Sequence, residues 1–231
     1  MKLLTLGNTK TVKGEALGYQ TYIMHLAPST LSGYNTCPMA SKGCASACLN
    51  TAGRGRFTAT QEARIRKTKW FFEDRQSFML QLVKDIEAAE RKAAREGFIP
   101  VFRLNGTSDI RWENIPITLD GATYHNIFTM FPNRQFYDYT KLANRNVKAL
   151  NYHLTFSRSE SNYVDVTTMM DTDTNIAIVF DELPATFNGR TVIDGTETDL
   201  RFLDPKRVIV GLLAKGKAKK DTSGFTFLVK G

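Results

Sequence analysis

Cys37, Cys44 and Cys48 are the only cysteines in a chain of 231 residues, and their spacing is C-x6-C-x3-C. Cysteines placed by packing behave as small hydrophobes and scatter through a core. Three within one stretch, among Pro38, Gly43 and several alanines and serines, ask for a shared ligand. An odd number is not a disulfide framework, and clustered cysteines in a reducing compartment are more often metal-binding or catalytic. Three thiolates are one short of a closed tetrahedral zinc site. They are also one short of the four that hold an electron-transfer iron–sulfur cluster. A 4Fe–4S cubane on three cysteines leaves one iron with an open position for a substrate or cofactor. The alternative is zinc completed by histidine, with His25 and His153 as the fourth ligands to consider, and chance clustering of structural cysteines is the third reading.

The elements that must position this loop follow from pattern. An extended segment, residues 3–28, turns at Gly7-Asn8, Lys13-Gly14 and Gly18, and Thr21–Ala27 reads as a strand closed by Pro28. Helical patterns follow over Thr58–Trp70 and Ser77–Glu96. In the second, Phe78, Leu82 and Ile86 recur every fourth residue, with Ala89 and Ala93 continuing the face and Gly97 at the C-cap. The first carries Arg64, Arg66, Lys67 and Lys69, a basic face read as turned to water rather than to phosphate.

Apolar strands then alternate with helical or loop segments. The strands are Ile99–Leu104, Gln135–Tyr139, Tyr152–Phe156, Asn175–Phe180 and Arg207–Leu213. A weakly patterned stretch, Ile110–Asn133, has room for a helix or two, and short helices are expected at Leu142–Leu150 and Ser161–Met170. Thr191–Asp194 reads as a hairpin strand between turns at Gly189 and Gly195. The alternation predicts βα units and a mainly parallel sheet, in one domain over residues 1–231. Each strand ends in a polar cluster: Asn105 to Asp109, Thr140-Lys141, Ser157 to Glu160, Asp181-Glu182 and Lys215. In parallel α/β folds the carboxyl ends of the strands form the ligand-binding face. Five polar ends beneath a three-cysteine loop therefore predict one convergent site.

Composition narrows the rest. The net charge of +8 favours anionic partners such as nucleic acid or nucleotides, although the basic residues are spread along the chain. The densest basic run, Lys215 to Lys220, reads equally well as a solvated loop, and Gly53 to Arg56 as a phosphate approach or a flexible turn. The acidic group Asp194, Glu197, Asp199 and Asp204 reads as a metal site or, in preference, a solvated loop partnered by Arg201. No run of eighteen apolar residues suggests a membrane span. The polar N-terminus is not that of a signal peptide, so cytoplasmic residence is expected. Nothing resembles a P-loop or a dinucleotide fingerprint.

This layout resembles the radical S-adenosylmethionine (SAM) superfamily, in which a three-cysteine loop follows the first strand of a partial or complete (β/α) barrel. The spacing differs from that superfamily's usual C-x3-C-x2-C. A closer resemblance is to phage proteins of the gene product 88 type. It is carried by the cysteine loop with its Ala52-Gly53-Arg54-Gly55 tail, by Arg103 to Asp109, by Phe136 to Lys141 and by Leu154 to Glu160. The resemblance implies a radical-SAM-like barrel with Cys37, Cys44 and Cys48 on a 4Fe–4S cluster whose open iron chelates SAM. It implies that Asn105, Gly106, Ser108 and Asp109 face the SAM amino group, and that Ser157 and Arg158 face its carboxylate or ribose, with Lys141 nearby. It also implies the cytoplasm of an infected host and a nucleic-acid or nucleotide substrate. The rival is a nucleic-acid-binding or regulatory protein with a structural zinc or iron–sulfur site and no catalysis.

Overall fold

A computed structural model describes residues 1–7, 12–145 and 147–229. Asn8 of the expected Gly7-Asn8 turn, and Asn146 of the expected Leu142–Leu150 helix, lie outside the described residues. The strands are β1 (Leu4–Leu6), β2 (Tyr19–Met24), β3 (Ile99–Arg103), β4 (Ile117–Leu119), β5 (Ala122–Tyr124), β6 (Gln135–Thr140), β7 (Tyr152–Ser157), β8 (Ile176–Phe180), β9 (Thr186–Phe187), β10 (Arg190–Asp194) and β11 (Ile209–Leu213). The helices are α1 (Lys42–Ser46), α2 (Thr58–Glu73), α3 (Arg75–Glu96), α4 (Ile127–Met130) and α5 (Tyr163–Met170).

Among the described residues, nine strands form one sheet in the order β1-β2-β3-β6-β7-β8-β11-β10-β9. From β2 to β10 every neighbouring pair is parallel. The two outer strands, β1 and β9, pair antiparallel with β2 and β10. The sheet is therefore open, not a complete barrel. Closure needs the two outermost strands to pair with each other, and here each ends the hydrogen-bonded order as a short antiparallel edge.

Of the parallel strands, β8 (Ile176–Phe180) and β11 (Ile209–Leu213) are unbroken apolar runs, the pattern of strands covered on both faces, whereas β2, β6 and β7 mix apolar with buried polar residues. On one face α3 lays Phe78, Leu82, Ile86, Ala89 and Ala93 against Tyr22, Met24, Phe102 and Phe136, and all of these are buried. Each such aromatic or leucine removed from water contributes about 1.5–3 kcal/mol. Asp74 caps the helix by accepting from Ser77 N, and Gly97 ends it in the left-handed region at φ 77°. On the other face Tyr137 and Val101 pack against Leu200 and Phe202 from the segment before β11.

Two local expectations change, and two are met with added detail. No helix forms over the described part of 142–150, because Arg145 is drawn inward to Asp109, Glu113 and the Tyr152 hydroxyl. The 110–133 stretch holds a 3-10 turn, the β4–β5 hairpin and the four-residue α4. The basic face of α2 is not simply solvated: Lys67 is buried and donates to Leu3 O at 2.9 Å, and Arg64 donates to Asn50. Thr191–Asp194 does join a hairpin, with Asn188 and Gly189 both at positive φ in its turn, but it also pairs parallel with β11.

Candidate functional site

The chain leaves β2 at Met24 and enters the cysteine loop across the carboxyl ends of the parallel strands. Thr36 anchors its start, donating from Oγ1 to Ala27 O at 2.6 Å and accepting at its carbonyl from Asp109 N at 2.8 Å. Ser41 N-caps α1 by accepting from Cys44 N at 3.1 Å. The loop is then tied to the end of β7 through Glu160, whose carboxylate accepts from Ser41 Oγ at 2.8 Å and from Gly43 N at 2.7 Å. Only glycine fits at 43: a Cβ there would lie 2.2 Å from Ser223 Oγ and 2.8 Å from Phe225 Cβ. Cys48 caps the next turn, its sulfur accepting from Asn50 N at 3.5 Å.

All three cysteines are free, half-buried and on the wall of one cavity of about 330 Å³. Thr36 Oγ1 lies 3.8 Å from Cys37 Sγ, which itself sits 3.7 Å from Thr107 O. Burial pushes the Cys37 and Cys48 thiols up, and the neighbouring thiols push the same way. Among the described residues, no three His, Cys, Asp or Glu side chains converge on a single-ion position.

The segment after β3 closes in from below. Gly106 N donates to Met24 O at 3.0 Å, and a Cβ on Gly106 would sit 2.6 Å from that oxygen, so the two strand ends touch backbone to backbone. Asn105 is the hub of its loop: its Oδ1 accepts from Ser108 Oγ, Ile110 N and Trp112 Nε1, and its Nδ2 donates to Ile110 O. Asp109 accepts from Lys141 N at 2.8 Å and from the Arg145 guanidinium at 3.1 Å. Lys141 Nζ donates to Ser157 Oγ at 2.8 Å and lies 5.8 Å from the centre of the Phe225 ring.

Asn105, Gly106, Ser108, Asp109, Lys141 and Ser157 all line the cavity with the three cysteines. Arg158 does not. It donates to Gly224 O and Phe225 O and so pins the C-terminal segment, beside a separate pocket. His25 and His153 are also absent from the cavity lining. Burial, with Arg64 and Arg103 nearby, lowers the His25 pKa to about 3, and burial lowers that of His153.

The cavity also contains residues that sequence reasoning passed over. Arg103, at the end of β3, pairs with Asp199 at 2.5 Å and lies 3.9 Å from fully buried Asp138. Burial opposes its charge most strongly, but Asp199, Tyr137, Tyr139 and Asp138 together outweigh it and hold the guanidinium protonated. Tyr139, Thr196, Asp199 and Phe225 join Arg103 in the lining, together with Lys215, one of the polar strand ends expected there. Arg103 was visible as a charge inside an apolar strand, a signal for a buried partner. Asp199 carried no such signal within its acidic stretch.

An α/β protein with an open, mostly parallel sheet and three thiols at the mouth of a cavity on its carboxyl edge is the class defined here. The chain belongs to the gene product 88 family, whose model matches residues 2–227. No curated protein and no solved structure matches it. Among the described residues, no helix is long and apolar enough to cross a membrane.

Proposed function

We propose that this protein is an iron–sulfur enzyme of radical-SAM-like type, built on a sheet curved toward a partial barrel. In this reading Cys37, Cys44 and Cys48 hold a 4Fe–4S cluster facing the cavity, which receives SAM or the substrate. The observation that carries this reading is the placement of all three thiols on one cavity with the 105–109 segment. Three free thiols on one cavity supply the three protein ligands of such a cluster and are one short of a closed tetrahedral zinc site. Hydrogen bonds to the sulfurs, of the kind made by Asn50 N, favour thiolates and tune cluster potentials. When bound, such a cluster supplies an iron with an open coordination position and one-electron redox chemistry.

The chain's own residues supply binding and orientation. Lys141 spends one of its three donors on Ser157 and has two left for a ligand carboxylate. Asp109, fixed by Lys141 N and Arg145, has lone pairs left for a ligand ammonium. Asn105 and Ser108 hold this loop in place rather than offering free groups. A nucleotide or nucleic acid is the substrate class favoured by the +8 charge.

The test is incubation of anaerobically reconstituted protein with SAM and dithionite, followed by chromatography for 5′-deoxyadenosine. Its formation, and its loss in Lys141→Ala protein that keeps its iron, is the expected result. Iron-loaded protein that neither binds nor cleaves SAM sinks the SAM chemistry.

A further inference from the structure

Two basic segments far apart in the chain meet at the cavity mouth. Arg54 and Arg56 are exposed on the turn Gly53–Arg56, and Lys215, Lys217, Lys219 and Lys220 are exposed on and just before the turn Gly216–Lys220. The segments pack together closely enough that a Cβ on Gly216 would lie 3.4 Å from the Ala52 Cβ. Leu49 from the first, and Lys215 and Ala218 from the second, share the cavity wall. No Asp or Glu occurs between Glu15 and Glu62, or between Asp204 and Asp221. Asp221 itself accepts from Ser223 and Thr226. Among the described residues none of the six cations forms an ion pair.

Apolar side chains also stand exposed on and next to these segments and the cavity wall. Leu49 is 64% exposed, Phe57 55% and Met39 46%, and Leu49 and Met39 run on into the cavity. The Arg56 guanidinium lies 5.9 Å from the centre of the Phe57 ring. Unpaired cations tracking a backbone, beside exposed aromatic and apolar side chains, are what single-stranded nucleic acid needs: charge for the phosphates and surfaces for the base faces. A duplex keeps its bases stacked and out of reach of such a rim. An acidic protein would satisfy the charges but leave the cavity empty, whereas a base turned out of a strand fills a pocket of this size.

We propose that this face binds single-stranded nucleic acid. Its phosphates rest on Arg54, Arg56, Lys215, Lys217, Lys219 and Lys220, and one base crosses Leu49 into the cavity. Strand binding needs no metal; only the entry of a base into a reaction chamber rests on the enzymatic reading above.

The test is fluorescence anisotropy of a labelled oligo-dT over a salt series. It compares wild type, Lys217→Glu/Lys219→Glu/Lys220→Glu, and a control of equal charge change on the far helix, Lys84→Glu/Arg91→Glu/Arg95→Glu. Three lost phosphate contacts at a slope of about 0.7 each predict binding about 50-fold weaker near 150 mM salt, with the slope of log affinity against log salt reduced by about 2. The control should bind as wild type does, and Arg54→Glu/Arg56→Glu should weaken binding in the same direction. Equal weakening of mouth and control variants overturns the proposal, as does a preference for duplex. Absence of salt-dependent binding also overturns it and leaves the face to an acidic protein. Retention of binding by iron-free Cys37→Ser/Cys44→Ser/Cys48→Ser protein supports it, whereas iron-loaded protein that fails to bind removes this proposal and spares the cluster.

Discussion

Glu160→Gln should loosen the cysteine loop without touching a cysteine. The carboxylate holds the loop to the end of β7 through Ser41 Oγ and Gly43 N, at 2.8 and 2.7 Å. Hydrogen bonds to a charged acceptor contribute about 1.5–3 kcal/mol each, and a neutral one about 1 kcal/mol. Glutamine keeps one acceptor oxygen and loses the charge. Glu160 is half-buried, so water replaces part of what is lost, and the net cost is about 2 kcal/mol. If the loop opens locally, that cost raises amide exchange across it about 30-fold. If opening is coupled to global unfolding, Tm falls by about 4–8 °C. Hydrogen–deuterium exchange on peptides spanning Cys37–Cys48, with a thermal melt in parallel, separates the two cases. Unchanged protection together with an unchanged Tm would refute Glu160 as the anchor.

Three further perturbations test the surroundings. Gly106→Ala pushes a Cβ to 2.6 Å from Met24 O, a backbone atom that cannot swing away; urea unfolding should show a loss of about 1–3 kcal/mol. Asp199→Ala leaves the Arg103 guanidinium buried with Asp138 only at 3.9 Å, and should cost about 3 kcal/mol by the same measurement. His25 takes up a proton near pH 6.5 when unfolded but not until about pH 3 when folded. Its contribution is therefore fully present above pH 6.5 and lost as pH falls toward 3, at about 1.4 kcal/mol per pH unit. The stability difference between wild type and His25→Gln should trace that slope, and a flat difference contradicts the burial of a neutral imidazole.

Much of the scaffold was legible because its signals are local. The four-residue recurrence of Phe78, Leu82 and Ile86 and the glycine at 97 define α3, and the β-rich runs at Ile99, Gln135, Tyr152 and Ile176 became parallel neighbours in sequence order. The gathering of Asn105 to Asp109, Lys141 and Ser157 with the cysteines followed from the rule that parallel strands present their carboxyl ends together. What escaped was non-local. Leu142–Leu150 looked helical until Arg145 found two carboxylates more than thirty residues upstream. Arg158 looked like a cavity residue, but its guanidinium is taken by carbonyls of the C-terminal segment. Sheet closure depended on edge strands of two and three residues, too short to carry a period. The pairing of Arg103 with Asp199 spans ninety-six positions, a distance at which no pattern operates.

Metal and acid-labile sulfide analysis of anaerobically purified protein tests the central claim most directly. Iron and sulfide in near-equal amounts, with broad visible absorbance that disappears in Cys37→Ser/Cys44→Ser/Cys48→Ser protein, is the predicted result. Colourless protein carrying only zinc, or iron retained after the three cysteines are replaced, would contradict it.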